Sequence, residues 1–188
     1  MNRPHQNIRS TGESERKIRK ALLEQMKETD FAHIRVTQVC QAAGVSRATF
    51  YLYYESLEGV LRQIEEEVIP FDDILQMPVR DDPLSDFDTN ERAMEVIHLM
   101  LRNADTVRIL IGPHGDPQLM YRMIQRLREP FYRIGLRKGY DDRQARIYSE
   151  FASSGHIVSL LTYFREQQYL DMPAREFLKT EMEFLQKL

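Results

Sequence analysis

Residues 36–54 read VTQVCQAAGVSRATFYLYY, and this stretch decides the fold of the chain. Its first half places Val, Cys and Ala at helical spacing, which predicts a short helix over Thr37–Ala43 with Thr37 as its N-cap. Gly44 follows directly, and glycine is the residue type that most readily ends a helix in the left-handed conformation. The pattern therefore predicts a helix that stops sharply at Gly44.

A second short helix follows after only two residues. Ser46 is a favoured N-cap residue, so this helix is predicted to start at Arg47 and to run to about Tyr53. Two short helices joined by a turn that begins with glycine are typical of a helix-turn-helix. In that motif the second helix presents the residues of its first turn to the major groove of DNA.

The flanking segments complete a small helical unit. An apolar stripe predicts a helix over 14–29, capped by Ser14, which can pack behind the two short helices. Residues 1–12 carry no such stripe, and we expect them to form a flexible tail. A fourth helix is predicted over 57–69, and Pro70 ends it.

The side chains of the second short helix suit contacts with DNA. An arginine in the first turn can form a bidentate pair with guanine, and a threonine methyl group can contact a thymine methyl group. Arg47, Ala48 and Thr49 are therefore candidate base contacts. Tyr51 and Tyr53 carry hydroxyl groups that suit phosphate oxygens, which position a protein without specifying the DNA sequence.

Residues 31–61, FAHIRVTQVCQAAGVSRATFYLYYESLEGVL, resemble the N-terminal DNA-binding domain of the TetR (tetracycline repressor-like) transcriptional regulators. The matching elements are Val36-Thr37, the turn over 42–46, and the segment over 49–54. The resemblance implies an all-α subunit of about nine helices that forms a homodimer. It also implies a repressor that binds a palindromic operator in double-stranded DNA and is released by a small-molecule effector.

The resemblance assigns roles to single residues as well. The DNA-binding residues that it implies are Thr37, Ser46, Arg47, Ala48, Thr49, Tyr51 and Tyr53. Thr37 is expected to cap its helix and to touch a phosphate. Leu57 departs from the family pattern, which usually has a lysine at the start of the fourth helix, and this puts one backbone contact in doubt.

The charge distribution also favours a nucleic-acid partner for the first part of the chain. Residues 1–62 hold ten Lys and Arg against seven Asp and Glu, whereas residues 63–188 hold sixteen against twenty-two. A basic head on an acidic body suggests that the head meets a polyanion. We therefore expect a DNA-binding domain over 1–62 and an effector-binding and dimerisation domain over 63–188.

The second part of the sequence is also predicted to be helical. Residues 70–88 contain three prolines and six aspartates, which is typical of a connecting segment. Helical patterns follow over 89–111, 117–137, 142–168 and 173–188, with Asp88, Asp116 and Asp141 as N-caps. No segment has a strand pattern. The predicted fold class is all-α, with a three-helix helix-turn-helix domain followed by a helical bundle.

Other classes of protein are disfavoured by composition. The longest apolar run is far shorter than the roughly 18 residues of a membrane helix, so no membrane association is expected. The N-terminus has no apolar signal region, and Cys40 is the only cysteine, so a cytoplasmic location is expected. The sequence shows no cofactor motif. His114 and Asp116 are two possible metal ligands without a second ligand cluster, so no metal is predicted.

The helical body offers candidates for a ligand pocket and for a dimer interface. The candidate pocket residues are Met100, Met123, Phe131 and His156, for each of which ordinary core packing is the simpler interpretation. The candidate interface residues are Phe151, Ala152, Gly155, Ser159 and Thr162 in one helix and Phe177, Met182, Phe184, Leu185 and Leu188 in the last.

Two alternatives to a DNA-binding repressor remain open at this point. The first is a helical sensor or interaction module whose DNA-binding head has lost affinity, as the departure at Leu57 would allow. The second is an α-helical enzyme, which rests only on His114 and Asp116. The sequence favours the repressor because the helix-turn-helix pattern is long and specific.

Overall fold

The computed structural model describes residues 5–69, 91–166 and 171–187, and within these ranges it contains α-helices, one 3₁₀ turn and no strand. This confirms the all-α class. The helices are α1 His5–Met26, α2 Val36–Ala43, α3 Arg47–Tyr53, α4 Leu57–Val68, α5 Glu91–Arg102, α6 Ala104–Leu110, α7 Leu119–Arg137, α8 Asp142–Arg165 and α9 Ala174–Lys187, with the 3₁₀ turn at Phe31–His33. No helix in the described ranges has the length and hydropathy needed to cross a bilayer.

The first helix is longer than its apolar stripe. Ile18, Leu22 and Met26 are buried along one face and pack against the later helices of the head. The described helix nevertheless extends back to His5, so the expected flexible tail is wrong for residues 5–12 and the expected N-cap at Ser14 is wrong, while residues 1–4 lie outside the described part of the chain. The reason is that residues such as Gln, Arg and Glu favour helix without any packing face, and a search for apolar periodicity does not detect them.

The first helix of the helix-turn-helix starts one residue earlier than predicted. The backbone N–H groups of Gln38 and Val39 donate to the carbonyl of Arg35, and the Gln38 side chain accepts the Arg35 N–H at 2.8 Å. Arg35 is therefore the N-cap, and the prediction of Thr37 as the cap is wrong. Gln38 lies three residues after Arg35, and its side-chain hydrogen bond to the Arg35 N–H favours Arg35 over Thr37 as the cap.

The turn between α2 and α3 forms as predicted. Gly44 has φ +65°, and the N–H groups of Gly44 and Val45 donate to the carbonyls of Gln41 and Cys40. This is the Schellman arrangement, in which a left-handed residue closes a helix. Ser46 then caps α3, since its Oγ accepts the Thr49 N–H at 2.9 Å.

The central feature of the body is a hairpin of α7 and α8. Gly139 has φ +87° and closes α7, while Asp141 caps α8 by accepting the Gln144 N–H at 2.9 Å, as predicted. A Cβ atom on Gly135 would lie 3.1 Å from the Ala145 Cα, so the two helices approach closely there. Pro130 lies within α7 and does not end it.

Two expected boundaries in the body differ from the structure or lie outside it. Pro117 was expected as the first residue of its helix, but a turn holds it and α7 begins at Leu119. Asp116 still acts locally, because its Oδ1 accepts the Gln118 N–H at 2.8 Å. The connecting segment over 70–88 and its cap Asp88 lie outside the described residues.

The apolar core of the head continues into the body. One cluster of buried side chains runs from Ile18 in α1 through Ile64 in α4 to Met100, Met123 and beyond. A smaller cluster lies between α7, α8 and α9 and includes Phe131 and Tyr148. No gap in the core marks the boundary after residue 62, so the division into two domains stays a prediction.

A part-buried ionic contact joins α4, the helix that spans the predicted boundary after residue 62, to α7 of the body. Arg122 of α7 donates from Nη2 to the Glu65 carboxylate at 2.6 Å and from Nη1 to the Asp116 carboxylate at 2.7 Å. The Glu65 side chain is only 5% exposed. Burial raises the pKa of Glu65 above its ordinary value, and the Arg122 guanidinium opposes this rise only in part.

Replacement of Arg122 is predicted to destabilise the protein. In Arg122→Ala, two largely buried carboxylates lose their cation. Because the Arg122 side chain is 36% exposed, we expect a loss below the roughly 3–5 kcal/mol of a fully buried pair but above the roughly 0–1 kcal/mol of an exposed one. Urea denaturation followed by circular dichroism measures the loss. Arg133→Ala is the control, since its pair with Glu129 on the same helix is exposed and is worth about 0–1 kcal/mol. Equal losses in both variants would contradict the prediction.

Candidate nucleic-acid interface

Helix α3 presents an exposed face that includes three of the predicted DNA-binding residues. Arg47, Ala48 and Tyr51 are exposed, and the Arg47 guanidinium lies 5.9 Å from the centre of the Tyr51 ring. This spacing lets the ring support the arginine by a cation–π contact. Because α3 begins at Arg47, its first turn is free to enter a groove of DNA.

Two other predicted residues are engaged in capping this helix. The Ser46 hydroxyl accepts the Thr49 N–H and lies 2.8 Å from the Thr49 hydroxyl. Thr49 is half-buried, so its methyl group has less freedom to approach a base than the neighbouring side chains have. Both residues therefore fix the start of α3, and any contact they make with DNA adds to that local role.

The remaining predicted contacts differ in exposure. Thr37 is exposed in the first turn of α2, where it can still reach a phosphate although it is not the cap. Tyr53 is half-buried and packs against the core cluster. A half-buried tyrosine can pack its ring against apolar side chains and keep its hydroxyl group at the surface.

One residue of the exposed face was missed in the sequence. Two apolar residues of α3 differ sharply in exposure, since Phe50 is fully buried whereas Leu52 is 78% exposed. Leu52 lies four residues after Ala48, and residues four apart share one face of a helix. That spacing would have identified Leu52 as a candidate for apolar contact with base methyl groups or sugars.

The start of α4 carries Leu57, where the resembled family usually has a lysine. Leu57 is 6% exposed and belongs to the core cluster, so this position packs the head together and has no side chain free to reach a phosphate. Tyr54 is also buried, and its hydroxyl donates to the Gln63 side chain at 2.6 Å. Burial raises the pKa of Tyr54, so it stays protonated at neutral pH.

The four candidate pocket residues lie in two separate clusters. Met100 and Met123 are buried in the main core, which is the simpler interpretation of methionines at helical spacing. Phe131 and His156 meet in the α7–α8–α9 region, with their ring centres 6.1 Å apart. A lining role for any of the four stays a prediction.

His156 forms a buried pair that the sequence did not indicate. Its Nδ1 lies 2.9 Å from the Glu181 Oε2, and the two side chains are 17% and 8% exposed. Burial opposes the charged imidazolium, but the charge and hydrogen bond of Glu181 outweigh it and raise the pKa of His156 above its ordinary value. The two residues are 25 positions apart, so no local spacing could have paired them.

Four polar side-chain atoms in the last three helices are buried without a hydrogen-bond partner among the described residues. They are Gln125 Nε2, Arg128 Nε, Tyr148 Oη and Glu181 Oε1, all in α7, α8 and α9. Burial, together with the neighbouring Tyr140, raises the pKa of Tyr148 to about 12, so its hydroxyl remains a donor. Unpaired buried polar groups are costly, and they are a common property of sites that bind polar ligands.

An exposed apolar face runs along α8 and continues on α9. Ile147, Phe151 and Val158 are at least half exposed in α8, and Phe184 is 64% exposed in α9. Phe151 and Phe184 were predicted interface residues, but the predicted Ala152, Phe177, Met182 and Leu185 are buried within the chain and Leu188 lies outside the described residues. Gly155 is exposed beside Phe151, and a Cβ atom added to it would meet nothing within 4 Å.

The two residues behind the metal and enzyme interpretations are occupied by other contacts. His114 Nδ1 lies 2.5 Å from the Asp30 Oδ1, and Asp116 pairs with Arg122. Neither side chain is directed at the other as a catalytic or ligand pair would be. In the described part of the chain no three potential ligands form a metal cluster.

Comparisons with known proteins place these features in context. No family model matches the chain. Over 55 residues the chain is 33% identical to the uncharacterized HTH-type transcriptional regulator YxbF of Bacillus subtilis (strain 168). The matched segment covers 29% of this chain and 14% of that protein. The chain thus spans a small part of that relative's length.

A solved structure shares the fold over almost the whole chain. It is the dihydroxyacetone kinase operon activator DhaS, with a TM-score of 0.54 and 14% identity, over 93% of this chain and 94% of that one. Together, the helix-turn-helix head, the local sequence similarity and the shared fold define the class: a helical protein similar to transcriptional regulators. Membership of the TetR family stays a proposal.

The buried His156–Glu181 pair is predicted to stabilise the protein in a pH-dependent way. Because the pKa of His156 is raised on folding, its contribution is complete below about pH 6.5, the unfolded value, and is lost as pH rises through the folded value. The stability difference between wild type and His156→Gln should therefore be largest near pH 6 and shrink by pH 9. Thermal melting across this range measures it, and a difference independent of pH would contradict the assignment.

Proposed function

We propose that the protein is a transcriptional regulator of the TetR type that binds double-stranded operator DNA through α3. The observation that carries the proposal is the exposed face of α3, which combines Arg47, Ala48, Tyr51 and Leu52 directly after a capped N-terminus. Arg47 is the candidate for base recognition, and Tyr51 is the candidate for phosphate contact. The similarity to a regulator with a helix-turn-helix supports this assignment.

A single head touches few bases, so we propose that two copies act together on a palindrome. Half-sites should then lie about 34–36 Å apart or a multiple of that distance. The apolar face with Ile147, Phe151 and Phe184 supports a homodimer, since obligate interfaces are apolar. Gly155 in the same region would let a partner helix approach closely.

The body is proposed to bind a small-molecule effector that controls DNA binding. The unpaired polar atoms of Gln125, Arg128 and Tyr148 support a ligand with hydrogen-bonding groups at α7–α9. An effector acts only through different affinities for the DNA-competent and incompetent states, and operator and effector then weaken each other equally. We propose repression as the direction, because a bound dimer that an effector releases can block transcription without a further contact.

The direct test of the proposal is selection of bound duplexes from a random DNA pool, followed by affinity measurement on the selected site. Sequence-specific, palindromic binding is expected. The alternative of a sensor with an inactive head predicts no enrichment, and the buried Leu57 together with the exposed Glu55 is the observation that favours it. A promoter–reporter assay with and without the protein then decides between repression and activation.

Substitutions in α3 are predicted to separate base reading from backbone contact. Arg47→Ala should cost about 1–3 kcal/mol on the selected site and relax specificity at one base position. Tyr51→Phe should weaken binding to all sequences by a similar factor, because it removes a phosphate contact. Fluorescence anisotropy measures both, with Arg133→Ala on α7 as a control that leaves binding unchanged. Equal loss on selected and random DNA for Arg47→Ala would show that Arg47 does not read bases.

Substitution of Gly155 is predicted to break the dimer without harming the subunit. The position is open within one chain, and leucine favours helix over glycine by up to about 1 kcal/mol, so Gly155→Leu should fold at least as well as wild type. Its side chain would hold the partner helix away. Sedimentation at micromolar concentration should show a dimer for wild type and for Gly12→Leu, an equally open helical glycine, and a monomer for Gly155→Leu. An unchanged dimer would exclude this face.

A further inference from the structure

A loop of the body contacts the head at the entrance to the helix-turn-helix. The segment over 112–116, here called the clamp loop, connects α6 to α7. The carbonyl of His114 accepts the backbone N–H of Phe31 at 3.1 Å, and the His114 ring lies 2.5 Å from the Asp30 carboxylate. Asp30 and Phe31 form the turn that leads from α1 to α2, so these bonds fix the position at which the helix-turn-helix begins.

The clamp loop is itself held rigidly on the body. A Cβ atom on Gly115 would lie 1.9 Å from the Leu110 carbonyl oxygen, so only glycine allows the loop to fold back on the end of α6. Arg165 at the end of α8 donates two hydrogen bonds to the Ile111 carbonyl, at 2.5 and 3.1 Å. Asp116 at the other end pairs with Arg122. The position of the clamp loop therefore depends on the positions of α6, α7 and α8.

Besides the apolar core that head and body share, two polar contacts join this part of the body to the first helices of the chain. One is the Asp30–Phe31 turn before α2, and the other is Glu65 in α4, reached through Arg122. These two contacts add hydrogen bonds of defined direction to an apolar core that already joins the two parts. A dimer reads two half-sites only if each head has the orientation that matches their spacing.

We propose that His114 is a positioning residue for DNA binding, which fixes the helix-turn-helix on the body through Asp30 and so sets the half-site spacing that the dimer accepts. This inference rests on the proposed function. The hydrogen bond from His114 lowers the pKa of the Asp30 carboxyl group below its ordinary value. The residue touches no DNA itself and acts through the orientation of α3.

The first test measures binding to the selected operator and to operators with one base pair inserted or deleted between the half-sites. The measured quantity is the ratio of the affinity for the selected operator to the affinity for an operator with altered spacing. In His114→Ala this ratio should fall about two- to five-fold per protomer, which corresponds to the free energy of a partly exposed ion pair. His114→Asn, which keeps a donor near the Nδ1 position, should restore the ratio. His33→Ala is the matched control, because His33 approaches the same Asp30 carboxylate at 3.8 Å but belongs to the head.

The second test needs no DNA and measures the orientation directly. Spin labels are attached through Leu52→Cys in α3 and Arg133→Cys in α7, both exposed positions, and labelled protein is mixed with excess unlabelled protein. The distance distribution should widen in His114→Ala and widen further in Gly115→Ala, which displaces the loop. Circular dichroism checks that each variant keeps its helical content, and His114→Ala alone decides if Gly115→Ala does not fold.

The outcomes of the two tests are distinct. A reduced spacing ratio together with a wider distribution supports the proposal. An unchanged distribution in His114→Ala overturns it, as does an unchanged spacing ratio in a variant that binds DNA. If the wild type selects no DNA sequence, the proposed function fails, and the distance measurement still decides whether His114 fixes the head on the body.

Discussion

Arg122 is the residue on which the arrangement of head and body depends. Its guanidinium lies between the carboxylates of Glu65 and Asp116, at 2.6 and 2.7 Å. Two acidic groups so close together in a largely buried place require a cation, since an unpaired buried charge is far more costly than a paired one. The pair joins α4, the last helix of the head, to the loop that precedes α7.

The same contact orders the segment that reaches the head. Asp116 ends the clamp loop, and His114 two residues earlier bonds to the turn before α2. The apolar core shared by head and body is therefore supplemented by a part-buried ion pair at α4 and by a more exposed pair at the turn before α2.

The proposed interface with DNA depends on few charged groups. The exposed face of α3 has one arginine, one tyrosine and an apolar side chain, Leu52, while the usual lysine position at the start of α4 holds the buried Leu57. Phosphate contacts dominate affinity in most such complexes. Under the proposed function, specificity then comes from Arg47 and from two heads acting together, and their relative orientation becomes more important.

Local chemistry alone determined much of the fold. The left-handed Gly44, the caps Ser46 and Asp141, and the short α3 with its exposed Arg47 follow from residue types within a few positions of each other. The burial of Leu57, Phe177 and Met182, the His156–Glu181 pair and the contact of His114 with Asp30 followed only from tertiary structure. These features depend on which faces of distant helices pack together, and the local sequence does not show which faces those are. Periodicity shows that a helix has an apolar face, but packing decides how much of that face another element covers.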